Sequence, residues 1–184
     1  MRKIIYWVHT SVDGYIAGPN GEFDWPVMSD ELAAHSDALN ERVDTFLYGR
    51  VVWDLMSSFW PTAEQIDDDP HTLKFAPIWR AMPKVVFSRT LTDLPGNSRV
   101  VADVETAVPA MKAAQGKDML LTGGADLAAK LADLDLIDEY QLVMHPVVLG
   151  GGKRVLPVSE RADMKLVEAR AFDNRAVLLH YARA

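Results

Sequence analysis

The sequence predicts an α/β fold: a mixed, mostly parallel sheet flanked by helices, with antiparallel strands at its C-terminal end. Apolar, β-rich runs alternate with helical patterns as far as residue 133, and strands joined by helices run parallel. The last two β-like runs, 164–172 and 175–183, have no helix between them and meet at Asp173-Asn174, a hairpin signal. The stretch Leu120-Leu121-Thr122-Gly123-Gly124-Ala125-Asp126-Leu127-Ala128 turns an apolar strand into a helix through two glycines. Only glycine lets a turn backbone come within contact distance of a ligand, and the free N–H groups of the next helix then face any anion placed there. The pattern reads as a pyrophosphate seat or as a tight turn alone.

The remaining elements follow in order. Lys3-Ile4-Ile5-Tyr6-Trp7-Val8-His9 is a buried central strand. Residues 11–25 hold Gly14, Gly18, Gly21 and Pro19, which predicts a long irregular loop. That loop also carries Tyr15, Ile16, Phe23 and Trp25, apolar groups suited to covering a ligand. Ser29 reads as the N-cap of a helix over 30–42, with Asp30 and Glu31 in its first turn. A strand at 45–48 leads through Gly49-Arg50 into a second helix. Residues 60–82 read as a surface excursion with one short helix near 71–80. Strands follow at 84–88 and 99–101, then an Ala-rich helix over 104–115, a strand at 118–122, a helix over 125–133 and a long strand at 138–148.

The 184 residues suit one domain, 1–184, with no linker, repeat or low-complexity tract. No apolar run approaches a membrane span, and polar residues cut short the apolar start, so no signal peptide is expected. The chain has no cysteine, which excludes disulfides, thiolate catalysis and zinc–thiolate sites and suits a cytoplasmic location. A net charge of −7 argues against nucleic acid or an anionic membrane as main partner. There is no G-x-S-x-G, P-loop, G-x-G-x-x-G or H-E-x-x-H, and no metal site is expected.

Five blocks in order carry a resemblance: Ser11-Val12-Asp13-Gly14-Tyr15-Ile16-Ala17; Tyr48-Gly49-Arg50 with Trp53; Met82 through Leu91; Leu121-Thr122-Gly123-Gly124-Ala125; and Leu136-Ile137-Asp138-Glu139 through His145-Pro146-Val147-Val148-Leu149-Gly150-Gly151-Gly152-Lys153-Arg154. Together they resemble the dihydrofolate reductase-like superfamily, in particular stand-alone relatives of the C-terminal reductase domain of the riboflavin deaminase–reductase. The resemblance implies NADPH as cofactor and hydride transfer to a pyrimidine- or pteridine-type heterocycle, such as 5-amino-6-(5-phosphoribosylamino)uracil in riboflavin biosynthesis. It implies Thr122, Gly123, Gly124 and Ala125 at the pyrophosphate, and Gly49 and Arg50 at the phosphates. Ser88 and Arg89 would meet the adenosine 2′-phosphate, and Ile16 and Ala17 the nicotinamide. It also implies a homodimer. Phe23 and Trp25 wall the substrate or plug the core. Asp30 and Asp13 are the candidate catalytic acids, against plain roles as a helix first-turn residue and a turn carboxylate. His145 reads as a satisfied core histidine, and Lys153 and Arg154 as a substrate-phosphate contact or a solvated turn. Val52 stands where dihydrofolate reductases have a polar residue, which weakens the case for tight NADPH binding. Dihydrofolate reduction, or binding of a pteridine, flavin or nucleotide without turnover, are the alternative readings.

Overall fold

The structure is a computed structural model describing residues 1–122 and 124–184. Its centre is an eight-stranded sheet. In chain order the strands and helices are β1 (Ile4–Thr10), β2 (Tyr15–Ala17), α1 (Asp30–Arg42), β3 (Val43–Gly49), α2 (Arg50–Phe59), α3 (Pro70–Ala81), β4 (Lys84–Phe87), β5 (Ser98–Val101), α4 (Val104–Ala113), β6 (Asp118–Leu121), α5 (Ala125–Asp133), β7 (Glu139–Met144), β8 (Lys153–Arg154), β9 (Met164–Phe172) and β10 (Ala176–Arg183). The sheet order is β5-β4-β3-β6-β1-β7-β10-β9. All neighbours through β7 are parallel, and β10 runs antiparallel to both β7 and β9. The expected mixed sheet with an antiparallel C-terminal edge is what the chain forms. Asp173 and Asn174 both take positive φ at the hairpin between β9 and β10, as the short turn requires.

Alternation along β1 splits the core between the two faces. Ile5 and Trp7 pack with Leu32, Trp53, Phe75 and Trp79, on the face that α1–α3 cover. Ile4, Tyr6 and Val8 pack with Val108, Leu127 and Leu131, under α4 and α5. The carboxyl ends of β1 and β3–β6 therefore lie between two helical layers, the usual place for a ligand in an α/β sheet.

Three expectations change. Residues 11–25 are not wholly irregular, because β2 pairs antiparallel with β8. The excursion at 60–82 holds a 3-10 helix, Trp60–Gln65, as well as the longer α3. The strand placed at 138–148 ends at Met144, before Pro146, which has no N–H for a ladder.

A polar clamp fixes the opposite edge of the sheet. The Ile4 N–H donates to Asp138 Oδ2 at 2.7 Å, and the buried Lys112 ammonium donates to the same oxygen at 2.6 Å and to the Leu136 carbonyl at 2.9 Å. Asp138→Ala leaves a buried ammonium and a strand N–H short of their acceptor. A loss of about 2 kcal/mol in unfolding free energy is expected by urea titration.

Candidate active site

A cavity of about 1490 Å³ runs along the carboxyl ends of the strands. One arm lies at the ends of β3–β6, the other against Trp7 and His9 of β1 on the α1–α3 face.

In the first arm two helix amino ends meet. Gly49 is the N-cap of α2 and Gly124 that of α5, and neither cap offers a side-chain acceptor to the first-turn amides. Gly124 sits in the left-handed region at φ +78. A Cβ there would lie 3.5 Å from Val52 Cγ2 and 3.7 Å from the Gly49 nitrogen. Contacts of that length would admit a Cβ, so it is the left-handed backbone conformation that calls for glycine. Uncapped helix amino ends present N–H donors and a partial positive charge, the combination an anion requires.

The predicted cofactor residues gather here. Ile16, Ala17, Gly49, Arg50, Ser88, Arg89, Thr122, Gly124 and Ala125 all border the cavity, while Gly123 lies outside the described residues. The Ser88 hydroxyl accepts from the Thr90 and Leu91 amides at 3.2 and 3.1 Å and shares a bond with the Thr90 hydroxyl at 3.3 Å, so its O–H can turn from Thr90 to an incoming acceptor. Arg89 has no ion-pair partner among the described residues. Arg50 lies 3.5 Å from the exposed Asp54. Asp126, in the first turn of α5, is matched by Lys153 at 2.6 Å.

The cover is built by interlocking two distant loops. The Ser11 hydroxyl accepts from the Tyr15 amide at 2.9 Å, and the Val155 amide donates to the Gly14 carbonyl at 3.0 Å. Asp13 accepts from the Leu149 and Gly150 amides at 3.1 and 2.7 Å. The Ser11 hydroxyl and these amides hold its carboxyl below the usual carboxylate range. Asp13 thus binds a turn and does not border the cavity. Asp30 is exposed and also off the cavity wall. Its helix is not capped by Ser29, whose hydroxyl makes no cap bond. The cap comes from the hairpin turn: the Glu31 amide donates to Asp173 Oδ2 at 3.0 Å, and the Asp173 amide donates to Glu31 Oε2 at 2.8 Å.

The second arm is aromatic. Phe23 reaches it, with its ring 6.4 Å from His9 and 5.5 Å from Trp25. Trp25 packs edge-on against His145 at 5.6 Å, behind the wall. His9 Nδ1 lies 2.8 Å from His145 Nε2, so His145 is the satisfied histidine expected, with His9 as its partner. Burial, then the neighbouring His145, pushes His9 down to about 3, and burial also lowers His145 and His71. Trp7, His9, Trp60, His71 and Phe75 were not singled out in the sequence. His9 alone left a signal, a polar residue at the carboxyl end of a central strand.

The family model for the RibD C-terminal domain matches residues 2–178. The chain belongs to the RibD C-terminal domain family. It is 37% identical over 182 residues to YyaP of Bacillus subtilis (strain 168), an uncharacterized protein, spanning 98% of this chain and 94% of that one. A second uncharacterized protein of that organism, YwjB, is 26% identical over 188 residues, spanning 100% and 99%. A provisionally assigned riboflavin biosynthesis protein from Shewanella sp. PV-4 superposes with TM-score 0.77 at 25% identity, over 100% of this chain and 99% of its own. The diaminohydroxyphosphoribosylaminopyrimidine deaminase/5-amino-6-(5-phosphoribosylamino)uracil reductase of Thermotoga maritima gives 0.67 at 15% identity, over 100% of this chain and 57% of that one. Dihydrofolate reductase from Enterococcus faecalis, complexed with NADP(H), gives 0.64 at 13% identity, over 98% and 96%. The fold of this RibD C-terminal domain protein is dihydrofolate reductase-like.

The interlocked loops leave no room at Gly152, where φ is +119 and a Cβ would collide with the Ala17 carbonyl oxygen. Gly152→Ala must push β2 away from β8. The expected outcome is a melting temperature lower by several degrees, read by circular dichroism.

Proposed function

We propose that this chain, acting as one domain over residues 1–184, is an NADPH-dependent reductase of a pyrimidine- or pteridine-type heterocycle. The observation that carries the proposal is the meeting of two uncapped helix amino ends, α2 and α5, at the carboxyl edge of the sheet. That donor set fits a diphosphate. NADPH, when bound, supplies the hydride. The first-turn amides at Arg50 and Ala125 hold the diphosphate. Arg89 and the Ser88 O–H take the 2′-phosphate, a charged fork beside a hydroxyl donor. Ile16 and Ala17 lie over the nicotinamide end and keep water from it. Phe23 flanks the heterocycle in the aromatic arm, with Trp25 bracing it from behind.

Neither Asp13 nor Asp30 borders the cavity, so we assign the accompanying proton to water. The absence of a carboxylate from the described lining of the aromatic arm also counts against dihydrofolate as substrate. A binding role without turnover is favoured by one feature: Val51 and Val52 give the phosphates no side-chain hydroxyl. Absorbance loss at the nicotinamide band in the presence of the heterocycle supports reduction. Thermal stabilisation by NADPH without such loss supports binding alone.

We also propose a homodimer. The proposal is supported by β9, an edge strand exposed from Met164 to Ala171, with Leu166 and Val167 more than half exposed. Sedimentation should show a dimer in the parent chain and a monomer for Leu166→Glu.

Arg89→Ala is expected to raise the KM for NADPH about tenfold and leave that for NADH nearly unchanged, measured by initial rates. An equal effect on both cofactors removes Arg89 from 2′-phosphate recognition.

A further inference from the structure

The aromatic arm differs from the rest of the cavity in charge. The cations on the cavity wall are Arg50, Arg89, Lys130 and Lys153, and the carboxylates are Asp103, Glu105 and Asp126. All seven lie at the amino ends of α2, α4 and α5, at the start of the loop after β4, or on the elements flanking them. Among the described residues, the wall from Trp7 and His9 to Trp60, His71 and Phe75 has no lysine, arginine or carboxylate. Residues 18–26 beside it carry Glu22 and Asp24 and no cation. The cations that act on its histidines are committed or outside: Lys74, near His71, pairs with Asp37 at 2.5 Å, and Arg175, near His145, is exposed in the hairpin turn. Burial disfavours the charged form of all three imidazoles, so none supplies a positive charge at neutral pH.

The same arm holds polar atoms with nothing to bond. Trp7 lines the cavity, and its buried Nε1 has no acceptor among the described residues. His71 Nδ1 is buried and unpartnered in the same sense. Trp60, by contrast, satisfies its indole N–H on Met56 Sδ at 3.2 Å. Indole is a donor only, so Trp7 calls for an acceptor, and a buried donor left unmade is costly. His71 stacks on Phe75 with centroids 5.6 Å apart and planes at 11°, which fixes its ring at the wall.

We infer that the aromatic arm takes a neutral, planar, unphosphorylated heterocycle, held through a ring acceptor on the Trp7 N–H and a second edge contact to His71 Nδ1. The inference rests on the reductase reading, in which the dinucleotide fills the cation-bearing arm. It deepens that reading by separating the substrate from phosphoribosylated pyrimidines. A phosphate in the aromatic arm would lose its water and gain no counter-charge. The ring itself meets a wall of aromatic faces that suits a flat π-system.

The test uses the full chain and two ligands that differ by one phosphate: 5-amino-6-(5-phosphoribosylamino)uracil and its dephosphorylated riboside. NADP⁺ affinity is first measured by calorimetry. Quenching of tryptophan fluorescence by each ligand is then titrated with saturating NADP⁺ and again without it. The expected result is saturable quenching by the riboside, with the phosphorylated compound binding more than threefold more weakly. Binding of the phosphorylated compound within threefold of the riboside, or more tightly, overturns the inference, and so does the absence of saturable quenching by the riboside. Failure of NADP⁺ to bind strikes the reductase reading instead, and the titration without NADP⁺ still decides the inference. Trp7→Phe keeps the ring and removes the donor. It should weaken riboside binding about tenfold and leave NADP⁺ affinity in place. His71→Phe keeps the stack on Phe75 and should weaken the riboside in the same way. Unchanged riboside affinity in both variants overturns the proposed contacts.

Discussion

The approach of two helix amino ends across the carboxyl edge of the sheet constrains the rest of this molecule. Gly49 and Gly124 approach until a Cβ on Gly124 would just touch Val52 and the Gly49 nitrogen. Each helix brings first-turn amides that no side chain caps among the described residues to the same place, and their partial charges add. Such a site is stable as protein alone because it faces solvent, and it gains most from an anion that bridges both ends. β3 and β6 are adjacent and parallel, so the α/β connectivity itself delivers the two amino ends together.

A second constraint ties segments over a hundred residues apart. The loop after β1 and the loop after β7 are laced by Val12, Asp13 and Gly14 on one side and residues 147–155 on the other, with Ser11 fixing the turn of the first loop. Their meeting explains why a carboxylate, a serine and a left-handed glycine stand together in one loop and a triple glycine in the other. Each loop turns on a few bonds of its own, and each completes part of the backbone hydrogen bonding of the other.

Period and punctuation made most of the fold legible in the sequence. The bounds of α1, α2 and α5 follow from Ser29, Gly49 and Gly124, and those of β9 and β10 from Asp173-Asn174. β2 was hidden because three residues give no period to read, and its partner, β8, is far away in the chain. The two glycine-led helix starts at the cavity were legible because glycines before a helix are a local signal. The aromatic arm was not. Trp7, Trp60, His71 and Phe75 each look like core residues in their own segments, and only packing shows that they leave a hollow. Asp30 illustrates the converse: a carboxylate in a helix first turn suits the helix dipole with or without a functional role, so its position in the sequence could not place it off the cavity wall.

The reciprocal bonds between Glu31 and Asp173 have a consequence for how the wall of the cavity is held. The helix that supplies Ser36 to the cavity begins on a cap contributed by the final hairpin. Fraying of the C-terminal edge would therefore free the start of that helix and loosen Met28 and Ser36 together. The last strands of the chain act as a distal brace for a pocket they do not line.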